Sequence, residues 1–248
     1  MYLRQSSPPL AEAVASALML AIDMRDPATG IHCRIVGDLA GQIATSMGLS
    51  EDEVRLIILS GRLHDLGKLA IPDRILRNTD DLNDRQKEII RTHAAHGERI
   101  VTEFAPLDVI VGHMAAIIGA HHEHWNGKGY PRGLRTTEIP LGARVIAVAD
   151  TYSAIVAHRT YQVAMPVGHA IEVLLAGAGT QFDPDVVSFA MESLSTRVGE
   201  MPTIIPRTCA TIEAIGRRQI ARRSADRGKI GTFDDHDPYK VVGDSFLQ

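Results

Sequence analysis

Apolar residues recur at intervals of three and four along most of the 248-residue chain, and no run of strict alternation marks a strand. Leu, Ile, Val and Ala at that period lay one apolar stripe along a helix of 3.6 residues per turn, so the pattern constrains the chain to an all-α fold. Two helix starts carry their own caps. Ser50 with Glu53 precedes the apolar run 54–58, and Asn83 with Gln86 precedes Ile89 and Ile90. A side-chain acceptor followed three residues later by Glu or Gln pairs two backbone amides that the first helical turn leaves open. Ser7-Pro8-Pro9 predicts the start of an earlier helix over 10–22, and further helices are predicted over 107–124, 141 to about 158, and 166–176.

Composition narrows the class. With 45% hydrophobic residues the chain can bury a substantial core, and its length suits one main domain with short extensions. A formal charge of -4 and a pI near 6.2 supply no general field for a nucleic-acid polymer, so an anionic ligand must be met by local groups or by metal. Only Cys33 and Cys209 are present, in no paired metal motif, which points to a reducing compartment; the cytoplasm is the expected location. The apolar run 13–22 follows Glu12, continues into Asp23 and Arg25, and is too short to span a bilayer, so no membrane association is expected.

The chemistry is concentrated in His32, His64-Asp65, His93, His121-His122 and Asp150. In four helices they interrupt an apolar face: Leu56, Leu59 and Leu63 lead to His64, Ile89 and Ile90 to His93, Ile117 and Ile118 to the His121-His122 pair, and Ile146 to Asp150. One buried histidine is more often a satisfied core residue than a ligand. Seven buried ionisable groups are different, because each costs several kcal/mol without a partner, and a domain's whole stability is about 5–15 kcal/mol. Shared cations supply the partner. Five imidazoles and two carboxylates suit Fe, Mn, Co, Ni or Zn better than the all-oxygen sites of Ca, and the number of ligands predicts two ions with Asp65 bridging them.

The string His64-Asp65-Leu66-Gly67-Lys68 resembles the core motif of HD-domain metal phosphohydrolases. With His121-His122-Glu123, Gly127-x-Gly129-Tyr130-Pro131 and Val148-Ala149-Asp150, the chain resembles the HD-GYP group, whose members hydrolyse cyclic di-GMP. Asp26-Pro27-x-Thr29-Gly30-x-His32, His93-x-x-x-Gly97 and the segment 177–184 extend the match over roughly 26–189. The resemblance implies an HD-domain helical bundle with the HD-GYP extension, and metal ligation by His32, His64, Asp65, His93, His121, His122 and Asp150. It implies catalytic roles for Asp65 and Lys68, with the Lys68 ammonium beside the scissile phosphate. Asp26, Lys68, Gly129, Tyr130 and Arg159 would contact substrate, Tyr130 packing on a guanine or on the site wall. Ala28 stands where some members carry a Glu for a third ion, which favours two.

Three departures bear on the substrate. Asn126 replaces the usual Asp of the glycine loop but keeps a turn-forming side chain. Ser153 replaces a second Asp three residues after Asp150, and Gln162 replaces a basic residue three after Arg159. The reaction that the resemblance implies is hydrolysis of cyclic di-GMP, with linear pGpG or GMP as the end product and two divalent ions, Fe or Mn favoured and Zn, Co or Ni also suitable. The alternatives are a non-catalytic module that binds a cyclic dinucleotide or a protein, and a phosphohydrolase for another cyclic dinucleotide. The expected organisation is an N-terminal helix in 1–25, the phosphohydrolase domain in 26–198, and an extension in 199–248 with a basic helix around Arg217 to Lys229 and a disordered tail. Ile212, Ile215 and Ile220 would suit a homodimer or a signalling partner, or pack on the domain.

Overall fold

A computed structural model describes residues 9–78, 80–156 and 167–195. Among these the regular structure is helical, with two isolated bridges, Asn126 to Arg135 and Ala178 to Phe182, and no strand. The helices are α1 (Leu10–Arg25), α2 (Pro27–Ser46), α3 (Glu51–Leu63), α4 (Asp73–Leu76), α5 (Asp84–Arg91), α6 (His93–Thr102), α7 (Val109–Ala120), α8 (Leu141–Val156), α9 (Val167–Gly177) and α10 (Pro184–Ser195). None is long and apolar enough to cross a membrane. Arg159, Gln162, Cys209 and the extension 199–248 lie outside the described residues.

The stripes read from the sequence become two main cores. Val36, Ala40, Ile43, Ile57, Ile117 and Ile146 join α2, α3, α7 and α8, against which Leu174 and Phe182 are packed. Ala15, Met19 and Ile22 of α1 pack with Cys33, Leu63, Leu66, Met114 and Ile118. The first helix thus shares a core with α3 and α7. Both expected capping boxes are present: the Ser50 amide donates to Glu53 Oε2 at 2.9 Å, and the Asn83 amide to Gln86 Oε1 at 2.9 Å.

The ends differ from the sequence pattern in an informative way. α1 runs past residue 22 to Arg25, because the residue before a proline is driven from the helical region: Asp26, before Pro27, is extended with φ -149° and ψ 95°. Asp26 then caps α2, accepting from the Ala28 amide at 3.1 Å and the Thr29 hydroxyl at 2.7 Å. The helix expected over 107–124 is shorter. Asp108 caps its start through the Ile110 amide at 2.8 Å, and it ends at Ala120, leaving His121 and His122 in the turn beyond. The stripe from Ile89 to Ile100 is split at Thr92, whose hydroxyl donates to the Ile89 carbonyl at 2.6 Å, between α5 and α6. His64, His93, His121 and His122 therefore stand at or just beyond helix ends, while His32 lies within α2.

Gly67 fixes the turn after α3 against α6. A Cβ there would lie 1.8 Å from the His93 carbonyl oxygen and 2.5 Å from the Gly97 nitrogen, both backbone atoms. Gly67→Ala must push two backbones apart at the point where Asp65 and His93 meet. The expected cost is about 1–3 kcal/mol, the range for overpacking, visible as a lowered thermal midpoint together with weaker metal retention. An unchanged midpoint with full metal retention would show that the turn can yield.

Candidate metal centre

The last-turn carbonyls of an α-helix have no intrahelical partners. Three histidines use them. His64 Nδ1 donates to the Gly61 carbonyl at 2.8 Å, His93 Nδ1 to Ile90 at 2.7 Å, and His121 Nδ1 to Ile118 at 2.7 Å. Because a carbonyl only accepts, each neutral ring carries its proton on Nδ1 and presents a bare Nε2. These nitrogens converge. His93 Nε2 lies 3.2 Å from His121 Nε2 and 3.2 Å from His122 Nε2. Asp65 stands between the rings, with Oδ1 3.5 Å from His93 Nε2 and Oδ2 3.4 Å from His64 Nε2. Asp150 Oδ1 is 2.9 Å from His32 Nε2 and 3.9 Å from His64 Nε2. All seven side chains singled out in the sequence meet in one place.

This arrangement fits cations. The nitrogens of His93 and His121 are both lone-pair donors and cannot bond to each other, so their 3.2 Å approach calls for a positive charge between them. His64 Nε2 is buried with no hydrogen-bond partner, a costly state unless something accepts its lone pair. Candidate ligand atoms of His93, His121 and His122 lie within 4.8 Å of one another, as do those of His32, His64 and Asp150. Mixed imidazole and carboxylate donors suit first-row divalent ions.

The protonation states favour the same reading. Burial above all, with smaller effects from neighbouring charges, lowers His93 to about 4 and His121 to about 3, and it holds His122 well below and His32 below the usual imidazole value. Burial alone would raise Asp65, but the charges of Lys68, then His64 and His93, outweigh it and keep the carboxyl well below its ordinary range. Asp150 is likewise lowered, burial being overcome by the hydrogen bond and charge of His32. Ionised carboxylates and neutral imidazoles are the forms that bind metal. His64 differs: burial pushes it down, but the charge of Asp65, then the nearby Cys33 and the charge of Asp150, raise it to about 10.

Around the centre, Lys68 Nζ donates to Asp65 Oδ2 at 2.7 Å, and burial, which would lower its pKa, is outweighed by the Asp65 charge, which raises it. Lys68 and Asp26 line one small cavity with Asp65, Thr29 and Arg25. Tyr130 stacks on His122, with centroids 4.8 Å apart, and the Arg91 guanidinium lies 5.5 Å over the Tyr130 ring. A Cβ on Gly129 would lie 2.2 Å from the His124 nitrogen and 2.5 Å from the His122 carbonyl oxygen, so that glycine lets the loop press on the ligand turn. Asn126 Oδ1 accepts from the Lys128 amide at 3.0 Å and preserves the turn expected of an Asp there.

The sequence assigned no role to Glu123 or Cys33, and to Ser153 only a bearing on the substrate. Glu123 is buried and accepts from the Arg132 amide at 2.6 Å and the Leu134 amide at 3.0 Å, tying the glycine loop to the ligand turn. Its signal was its place in the His-His-Glu string. Cys33 is fully buried, and its sulfur is grouped within 4.8 Å of ligand atoms of His64 and Asp65. Ser153 Oγ is 3.3 Å from His32 Nδ1.

Fold and site together define an all-helical domain built around a buried cluster of His and Asp side chains that is a candidate metal centre. The HD domain family profile matches residues 16–186, and the chain belongs to that family, its Gly-x-Gly-Tyr-Pro loop placing it in the HD-GYP group. It is 38% identical over 174 residues to a cyclic di-GMP phosphodiesterase of Thermotoga maritima, covering 70% of this chain and 47% of the relative. It is 30% identical over 184 residues to 3'3'-cGAMP-specific phosphodiesterase 3 of Vibrio cholerae, covering 74% and 39%. The chain spans about half the length of the first of these relatives or less. Its fold is similar to that of Bd1817, a HDG"Y"P protein from Bdellovibrio bacteriovorus, with a TM-score of 0.57 and 19% identity over 75% of this chain and 63% of that one.

Proposed function

We propose that this chain is a metal-dependent phosphodiesterase that opens cyclic di-GMP to linear pGpG. The observation that carries the reading is the convergence of imidazole Nε2 atoms on the Asp65 carboxylate, with the Lys68 ammonium on the same carboxylate. His93, His121 and His122 would hold one divalent ion and His32, His64 and Asp150 a second, with Asp65 shared between them; Fe or Mn suits these donors. When bound, such ions lower the pKa of water and neutralise charge on a phosphoryl group.

The chain's own groups then divide the remaining work. Lys68 keeps its proton through the neutral range and, at 23% side-chain exposure, can reach a phosphate oxygen while still bonded to Asp65. Donors already aimed at developing charge need no reorganisation during reaction. Tyr130, stacked on His122, forms a wall of the site, and Asp26, Gly129 and Arg159 would complete the substrate contacts. Both oxygens of Asp26 serve the start of α2, so it acts on a ligand chiefly through the position of that helix end.

A second cyclic dinucleotide belongs in the same test, because a Vibrio cholerae relative is named for 3'3'-cGAMP. Protein reconstituted anaerobically with Fe(II), or with Mn(II), is incubated with each compound and the products are separated by chromatography. Conversion of cyclic di-GMP to pGpG, absent from metal-free protein, is the expected result. Turnover of 3'3'-cGAMP alone reassigns the substrate, and tight binding without turnover makes the chain a signalling module.

A further inference from the structure

Lys68 sits in the 3-10 turn Leu66–Ala70, directly after the pair His64-Asp65. Such short turns have poorer hydrogen-bond geometry than an α-helix, so their shape depends on what holds them from outside. The Lys68 amide donates to the Asp65 carbonyl at 2.9 Å, and the Lys68 carbonyl accepts from the Ile71 amide at 3.1 Å. On one side of the turn Gly67 lies against the backbone of α6. On the other stands Arg25, the last residue of α1.

Arg25 spans the residues that follow Lys68. Its Nη1 donates to the Leu69 carbonyl at 3.0 Å, and its Nη2 to the Ile71 carbonyl at 2.6 Å and to Asp73 Oδ1 at 2.7 Å. A planar guanidinium fixes several acceptors at once, which the compact ammonium of a lysine on its flexible stem does not. Arg25 lines the same small cavity as Lys68 and Asp65, yet its terminal nitrogens are spent on the turn and on the start of α4. The contacts run without a gap from α1 through Arg25 and the turn to Lys68, whose Nζ ends 2.7 Å from Asp65 Oδ2.

We infer that Arg25 is a positioning residue: by bracing the turn from α1 it aims the Lys68 ammonium at a phosphate beside Asp65, and it touches no substrate itself. The inference rests on the phosphodiesterase reading and on the task given there to Lys68. A misplacement of about 1 Å at a reacting group costs about 10²-fold in rate, which sets the upper scale of the effect.

Arg25→Met and Arg25→Lys are made in the full chain, alone and together with Lys68→Met, and kcat for cyclic di-GMP, metal content and the side-chain ¹H–¹⁵N signals of the lysines are measured. Arg25→Met should lower kcat about 10–100-fold with metal content unchanged. Arg25→Lys keeps the charge but not the fork, and should lose less. Residues that act as one unit do not add, so in the Lys68→Met background neither substitution should lower kcat by more than about twofold. The signal missing from Lys68→Met identifies the Lys68 ammonium, and it should shift in Arg25→Met independently of turnover. Losses that multiply in the double variant would mean that Arg25 meets the substrate or serves the fold in general, and would overturn the inference, as would an unshifted Lys68 signal. If Arg25→Met does not fold, Arg25→Lys decides by the same comparison. Wild-type protein that turns over no cyclic dinucleotide, while its Lys68 signal still depends on Arg25, would sink the phosphodiesterase reading and leave the bracing in place.

Discussion

Asp65→Ala is expected to strip the protein of its ions and abolish hydrolysis. The carboxylate is within reach of both ligand sets, 3.5 Å from His93 Nε2 through Oδ1 and 3.4 Å from His64 Nε2 through Oδ2. Removing even an outer partner of a ligand costs about 10–100-fold in metal affinity, so removing the shared carboxylate should cost more than about 100-fold at each position. The deletion also leaves Lys68 without its 2.7 Å partner and His64 without the nearer of its two carboxylates. Breaking a buried charge pair typically costs about 3–5 kcal/mol, so the variant's thermal midpoint should fall as well. Asp65→Asn separates the effects: it keeps the shape and should fold better while still failing to hold metal. Metal analysis, circular dichroism and product chromatography on the same samples check the prediction, and full turnover by a folded Asp65→Ala protein would refute it.

The fold and the seven donors were legible because both are written in one pattern. A helix buried on one side must repeat its apolar residues every three or four positions, and an ionisable residue inside such a stripe is anomalous unless something pairs with it. His93 and His121, both 1% exposed or less, are the clearest instances. Apart from the starts marked by capping boxes, the helix ends were not legible, because apolar periodicity persists through a break: Ile89 and Ile90 still point the way to His93 although α5 stops at Arg91. Yet those ends decide the chemistry, since the carbonyls they leave unpaired set the tautomers of three rings. The contacts of Glu123 and Ser153 were hidden for another reason. The sequence places one in the His-His-Glu string and the other where the family has an Asp, but only the approach of distant amides to Glu123 and of His32 to Ser153 shows what each touches.

Lys68→Met should separate catalysis from metal binding. The ammonium has two candidate tasks, holding Asp65 in place and meeting charge on the substrate. Its bond to Asp65 Oδ2 is 2.7 Å, but Asp65 has other attachments: His64 and His93 flank it, and any ion in either ligand set would bind it directly. Losing the lysine should therefore leave metal content near that of wild type. The substrate task has no substitute on that side of the cavity among the described residues, because Arg25 is engaged by the Leu69 and Ile71 carbonyls and by Asp73. Removing a donor aimed at transition-state charge lowers kcat about 10²–10³-fold, and that is the expected loss for Lys68→Met. Lys68→Arg, which keeps the charge with a different reach, should recover part of it. If metal content falls in step with kcat, Lys68 works through Asp65 alone and the substrate role is wrong; if kcat falls while both ions stay, the ammonium acts on the phosphate, and the short contact with Asp65 is how the protein aims it.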